Sequence, residues 1–304
     1  MTKILLTGSS GFIGQHIRPR LLSMGTIYDL KNDLTDHKKV EEEVAYINPD
    51  IIIHLAARTE VQKSFYEQVS FSEINYVGTV NLIESCCKLS KIPFFLLAST
   101  MEVYGWQTIS DEVKITGTYK TKIAFDELTT PNPNAPYAVA KYASEKYLEY
   151  VSRSYGLKYA ALRQTNSYGR KDNDFFITEQ IITQMLKGNE CNLGYDTPYR
   201  NFIYIDDLLD AWVSLIENRH KISNEIFTVG PDDPRQIKEC ANYIAYQLNW
   251  NGKINWNTKD PRPGEVYYLN SSNKKIKEKI GWEPKISYEE GIDRTIYNWK
   301  NLLK

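Results

Sequence analysis

The sequence predicts an α/β chain: a Rossmann-type, doubly wound parallel sheet with a smaller α/β C-terminal substrate-binding lobe. Three observations carry this. Short apolar runs alternate with helix-period segments through the first half, a pattern that calls for parallel strands with helices on both faces. A glycine-rich turn, Gly8-Ser9-Ser10-Gly11-Phe12-Ile13-Gly14, joins the first apolar run to the first helical one. The second half is less regular, yet no flexible linker sets it apart. The expected division is a nucleotide-binding domain over 1–169, rejoined by about 200–232, and an interleaved substrate lobe over 170–304.

The elements follow in order. Ile4–Thr7 reads as a strand and Phe12–Met24 as a helix closed by Gly25. Thr26–Leu30 is a second strand, and Asp36–Ile47 an amphipathic helix stopped by Asn48-Pro49. Ile51-Ile52-Ile53-His54-Leu55 is an unbroken apolar run, as expected of a strand covered on both faces. Helix Ile74–Leu89, strand Pro93–Ala98, a long loop, helix Tyr137–Tyr155 and strand Tyr159–Arg163 complete the first half. Beyond it come helix Thr178–Lys187, strand Phe202–Ile205, helix Asp206–Glu217, strand Ile226–Val229 and helix Gln236–Leu248. Ser287–Leu302 closes the series as a helix, with Ser287 and Glu290 spaced as a capping box.

Composition excludes several classes. The 304 residues carry 37 basic against 38 acidic side chains, a balance unlike that of a general nucleic-acid binder. No apolar run approaches the roughly 18 residues of a membrane span, and no signal-peptide pattern opens the chain. The expectation is a soluble cytoplasmic protein. Cys86, Cys87, Cys191 and Cys240 show no metal or redox spacing and read as reduced thiols. His16, His37, His54 and His220 form no spaced set, and His54, at the end of a buried strand, reads as structural. No metal site is expected.

The glycine turn has the chemistry of a phosphate cradle. Gly8 permits a tight turn, Gly11 lets the backbone approach a diphosphate, and Gly14 lets helix and strand pack closely. The helix N-terminus beyond it offers free N–H groups to the anion. Asp29 lies at the end of the second strand, where a carboxylate accepts from ribose hydroxyls and repels a 2′-phosphate. That favours NAD over NADP, although Lys31 stands nearby.

Tyr137-Ala138-Val139-Ala140-Lys141 puts a tyrosine and a lysine on one helical face. A free phenol titrates near pH 10. The lysine ammonium and an oxidised nicotinamide are expected to pull that value down until the tyrosine can accept a proton. A hydroxyl in Ser99-Thr100, at the carboxyl end of a strand, is placed to hydrogen-bond the same substrate oxygen.

With these residues in place, the chain resembles the extended short-chain dehydrogenase/reductase family, in its nucleotide-sugar epimerase and dehydratase group. The matching segments run nearly end to end. They include the Gly8 loop, Asp33-Leu34-Thr35-Asp36, His54-Leu55-Ala56-Ala57, Asn75 with Gly78-Thr79, and Ser99-Thr100 with Val103-Tyr104-Gly105. Further on come Pro136–Lys141, Leu162–Gly169, Arg200–Asp207, Arg262-Pro263-Gly264-Glu265 and Gly281-Trp282-Glu283-Pro284. The resemblance implies Tyr137 as base, Lys141 as its partner and a ribose contact, and Thr100 as the third member of the triad. It implies that Ser10, Phe12 and Ile13 belong to the cofactor loop, that Asp33 and Leu34 lie by the adenine, and that Leu55, Ala56 and Ala57 line the cofactor. Asn166, Arg200 and Arg262 become contacts of a nucleotide-diphosphate sugar near its diphosphate. It also implies a homodimer through helices Ile74–Leu89 and Tyr137–Tyr155.

The shared reaction of that family opens with oxidation at C4 of the sugar. Glu102 resembles the dehydratase carboxylate that removes the C5 proton. Met101 stands where the acid that protonates the leaving hydroxyl would be, and a thioether cannot donate a proton. The reading therefore leans to an epimerase. A 4,6-dehydratase or uronate decarboxylase, a 4-keto-sugar reductase, and a non-catalytic NAD-sensing regulator are the alternatives. Arg170, where the family has proline, and Arg58 read more readily as structural than as substrate contacts. The Asp206-Asp207 pair reads as the acidic start of a helix.

Overall fold

The apolar runs pair into one parallel sheet. In the computed structural model, which describes residues 1–106, 123–260 and 262–303, the strands are β1 (Lys3–Thr7), β2 (Thr26–Asp29), β3 (Ile51–His54), β4 (Phe94–Thr100), β5 (Tyr159–Gln164), β6 (Asn166–Tyr168), β7 (Glu190–Asn192), β8 (Tyr199–Tyr204), β9 (Glu225–Val229), β10 (Pro234–Gln236) and β11 (Lys253–Asn255). Six of them form the main sheet in the order β2-β1-β3-β4-β5-β9, every pairing parallel. The order reverses between β1 and β3. Loops leaving the carboxyl ends of those two strands diverge, which opens a crevice there.

Alternation along the strands sends side chains to two cores. Leu5, Ile52, Phe95 and Leu97 face helices α2 (His37–Ile47), α5 (Gly78–Cys87) and α6 (Pro136–Tyr155), meeting Val40, Val44, Leu82, Leu148 and Val151. Ile4, Leu6, Ile51, Ile53 and Leu96 face the opposite way. There they meet α1 (Phe12–Leu21) and a second layer that runs unbroken into the C-terminal half through Trp212, Ile244 and Trp299. All of these strand residues are at most 2% exposed. Burying each such side chain contributes roughly 1.5–3 kcal/mol.

Small sheets complete the second half: β10-β8-β6 and β11-β7. Short helices α3 (Val61–Ser64) and α4 (Gln68–Ser72) lie between β3 and α5, and a π-helical turn over Glu73–Val77 leads into α5. A cluster of Met101, Val103, Tyr104, Phe125, Val266, Tyr268 and Leu269 packs C-terminal residues against the turn after β4.

The boundaries differ from expectation where tertiary contacts decide them. β4 runs to Thr100 rather than Ala98, because its last two residues pair with Arg163 and Gln164 of β5. The helix expected over Ile74–Leu89 is interrupted by the π turn. There the buried Asn75 side chain exchanges two hydrogen bonds with the Arg58 backbone, at 2.8 and 2.9 Å. β8 begins at Tyr199 because its first residues pair antiparallel with β10. Residues 107–122 of the expected long loop after β4 lie outside the described residues.

Candidate active site

The site grows from four strand ends. After β1 the chain turns at Gly8, whose φ is +71°, and the Gly11 N–H returns to the Gly8 carbonyl at 3.0 Å. A Cβ on Gly8 would lie 2.7 Å from the Ala56 nitrogen, and one on Gly14 would lie 2.2 Å from the Gly8 carbonyl oxygen. These glycines therefore let β1, α1 and the loop after β3 close on one another. No side chain caps α1, so its first N–H groups face the crevice without an intrahelical partner. Gly14→Ala is expected to lower stability by about 1–3 kcal/mol through overpacking. Urea unfolding at an unchanged m-value measures it, and a loss within error of zero contradicts this packing.

After β3, a buried relay fixes the second wall. Thr7 Oγ1 lies 2.7 Å from His54 Nδ1 and accepts from the Ala56 N–H at 3.1 Å. His54 Nε2 lies 2.9 Å from Thr79 Oγ1. Burial first, and the Lys141 charge second, press the His54 imidazole down to about 3. It stays neutral and works as a structural link between strand and helix.

β4 delivers Thr100 in extended conformation, and the 3₁₀ turn Met101–Tyr104 follows at once. Thr100 Oγ1 accepts from the Glu102 N–H at 3.1 Å. α6 begins with Pro136 in its first turn, where a missing N–H costs nothing. Tyr137 and Lys141 both lie on its buried face, 8% and 2% exposed. Burial raises the Tyr137 phenol above its usual range, a hydrogen bond with Thr100 pulls the other way, and the Glu102 charge adds to the rise. The expected lowering of the tyrosine is not found in the protein alone, because burial dominates.

Lys141 is pushed down to about 8 by burial, against the pull of Glu145 one turn further along α6. Its folded value lies below its unfolded one. Between pH 8 and 10.5 the unfolded chain holds a proton that the folded chain has released, so this group makes stability rise with pH there. Relative to Lys141→Met, the wild type is expected to gain roughly 3 kcal/mol across that window. Chemical denaturation at a series of pH values reads the difference, and a flat difference contradicts the assignment.

These strand ends enclose a cleft of about 490 Å³. Among the residues singled out from the sequence, Gly8, Ser10, Gly11, Phe12, Ile13, Gly14, Leu55, Ala56, Ala57, Thr100, Met101, Glu102, Tyr137, Lys141 and Asn166 line it. Glu102 is 9% exposed, and its Oε2 has no hydrogen-bond partner among the described residues.

Asp29, Asp33, Leu34, Arg200 and Arg262 stand outside that lining. Asp29 forms an ion pair with Arg18 of α1. Asp33 accepts from the Thr35 N–H and hydroxyl at 2.9 and 2.8 Å. Leu34 is buried against Gly78. Arg200 and Arg262 converge on one carboxylate. Arg262 grips Glu265 with Nε at 3.0 Å and Nη2 at 2.5 Å, and Arg200 Nη2 lies 3.6 Å from the same group. Burial opposes the Glu265 charge, but Arg262 and then Arg200 hold its carboxyl below the usual range.

Sequence reasoning missed Glu265, although its i,i+3 spacing from Arg262 was a usable signal. It also missed Gln164, Thr165 and Asn173, which line the cleft from the β5 side. Arg58 turns away from the chemistry: it pairs with Glu67 at 2.6 Å and stacks on Phe71 at 4.3 Å. Asp207 accepts from the Lys285 and Ile286 N–H groups at 3.0 and 2.8 Å, a purely structural tie. Among the described residues there is no cluster fit to hold a metal ion and no helix long and apolar enough to cross a membrane.

Comparison with known proteins agrees with this geometry. Residues 4–230 match the NAD dependent epimerase/dehydratase family. The UDP-glucose 4-epimerase of Thermotoga maritima, solved with UDP-glucose, superposes with a TM-score of 0.88 at 27% identity, covering 100% of both chains. The UDP-glucose 4-epimerase of Thermus thermophilus, solved with NAD, gives 0.85 at 26% identity over 98% of this chain and 99% of that one. The dTDP-D-glucose 4,6-dehydratase of Dictyostelium discoideum is 27% identical over 98% of this chain and 82% of its own length. The chain belongs to the NAD-dependent epimerase/dehydratase family of extended short-chain dehydrogenases/reductases.

Proposed function

We propose that the chain is a C4 epimerase of nucleoside-diphosphate hexoses, working through NAD and a transient 4-keto sugar. The observation that carries this reading is the side-chain set at the end of β4. Thr100 and Tyr137 both line the cleft, and Met101 lines it where expulsion of water would need an acid. The glycine cradle and the uncapped end of α1 suit the cofactor diphosphate. NAD supplies the hydride acceptor. Tyr137 takes the C4 hydroxyl proton while Thr100 hydrogen-bonds the same oxygen, and Lys141 contributes positive charge beneath them. Asp29 with Asp33 and Leu34 serve the adenosine end, and Leu55, Ala56 and Ala57 form the apolar wall. Asn166, Arg200 and Arg262 hold the sugar nucleotide by its diphosphate, with Glu265 setting the two guanidinium groups in place. UDP-glucose is the first substrate to test, since the Thermotoga maritima relative is solved with it.

One observation favours a second reading. Glu102 brings a carboxylate with an unpartnered oxygen to the cleft, as removal of a C5 proton would require, and the Dictyostelium discoideum relative is a dehydratase. Incubation with UDP-, dTDP-, GDP- and CDP-hexoses, followed by mass spectrometry, separates the two. An isomer of unchanged mass supports the epimerase. Loss of water establishes the dehydratase, and steady consumption of added NADH or NADPH with a 4-keto sugar nucleotide overturns both in favour of a reductase.

A further inference from the structure

The surroundings of Arg170 are unusual for a structural arginine. The residue is 6% exposed. Its guanidinium lies between two aromatic rings, 4.2 Å from the Phe12 centroid and 3.8 Å from that of Phe176. Phe12 is the first residue of α1. Arg170 lines the same cleft as Gly8, Ser10 and Gly11.

The donor inventory is incomplete. A guanidinium carries five N–H donors. Nη1 donates to the Ser167 carbonyl at 2.5 Å, and Nη2 makes a 3.5 Å contact with Ser167 Oγ. The apparent counter-ion, Glu179, stands 3.6 Å from Nη1. Its close contacts go elsewhere: Oε1 accepts the backbone N–H groups of Gly169 and Arg170 at 2.9 and 3.0 Å. Its Oε2 has no partner among the described residues. Glu179 thus fixes the main chain that carries Arg170 and balances its charge from a distance. With two aromatic rings stacked on the guanidinium, its edge is what it offers a ligand, and that edge matches paired phosphate oxygens.

We propose that Arg170 binds the diphosphate of the dinucleotide, adding a cationic fork to the donors at the N-terminus of α1. This rests on the dinucleotide reading of the cleft. The aromatic pair orients the fork in advance, so little side-chain freedom is lost on binding.

The test is calorimetric titration of nucleotide-free protein with NAD and with ADP-ribose, alongside thermal melting. Arg170→Gln combined with Glu179→Gln leaves no lone carboxylate buried. It is expected to bind both ligands about tenfold more weakly or worse, as for loss of a charge-assisted hydrogen bond. Glu179→Gln alone keeps the cation and removes its competitor, so it is expected to bind at least as tightly as the wild type. Arg170→Lys keeps a cation opposite Glu179 but lacks the planar fork, and covers the case in which the double variant fails to fold. It too is expected to bind more weakly. A folded double variant within twofold of wild type overturns the proposal, as does Arg170→Lys binding like wild type. So does Glu179→Gln losing as much affinity as the double variant, which would mark a merely structural pair. Wild-type protein that binds neither ligand overturns the dinucleotide reading itself, and the role of Arg170 with it.

Discussion

Tyr137→Phe is expected to lower kcat by roughly 10²–10⁴, the usual span for removing a positioned general base. NAD binding and the melting temperature should hardly change. Tyr137 is 8% exposed and packed within α6, so phenylalanine keeps the ring and its contacts. What disappears is the phenolic oxygen, in the cleft that Thr100 also lines. The pH profile gives a second readout. Burial holds the phenol above its usual range, and a base must be deprotonated to act. Turnover of the wild type should therefore rise with pH on its acidic limb, and the residual activity of Tyr137→Phe should lose that limb. Measuring kcat and KM from acid to mildly alkaline pH checks both points. Wild-type kcat in the variant excludes Tyr137 from proton transfer.

Arg163→Met is expected to cost about 3–5 kcal/mol of stability, the penalty for leaving a buried charge without its partner. Arg163 and Glu145 have side chains 4% and 1% exposed, joined by Nη2 to Oε2 at 2.7 Å and by Nε to Oε1 at 3.0 Å. Arg163 also donates to the Tyr104 hydroxyl, and Ser99 donates to Glu145. Tyr104 in turn donates to the Asp126 carbonyl at 2.6 Å. The pair thus ties β5, β4 and α6 together directly beneath Thr100 and Lys141. Urea denaturation of Arg163→Met, Glu145→Met and the double variant forms the test. The double variant is expected to be less destabilised than the sum of the two singles, since neither charge is then left alone. Additive losses would mean that the two residues act independently.

Much of this was legible in the residues themselves. Runs such as Ile51–His54 are apolar at every position because a strand covered on both faces has no wet side. The glycine loop announced itself because only glycine tolerates the φ at position 8 and the contact at position 14. Tyr137 and Lys141 share a helical face by spacing alone. What escaped was set by tertiary structure. The three-residue strands β6, β7, β10 and β11 are too short to show a period, and β7 finds β11 about sixty residues away in sequence. Arg200 meets Arg262 and Glu265 only once chain segments about sixty residues apart have packed. Arg170 stood out as a departure from the family pattern, but nothing local links it to Phe12, on the far side of the domain in sequence. The fall in tyrosine pKa expected from Lys141 overlooked how deeply both groups are buried.

In the proposed C4 epimerase, hydride would leave C4 of the sugar and return to the same carbon. UDP-glucose deuterated at C4 follows that hydride directly. Products formed in ordinary water are separated and examined by NMR and mass spectrometry. An epimerase yields an isomer inverted at C4 that keeps its deuterium at C4 and its mass. Deuterium lost to solvent, or an inverted product whose label has moved to another carbon, would contradict that reaction.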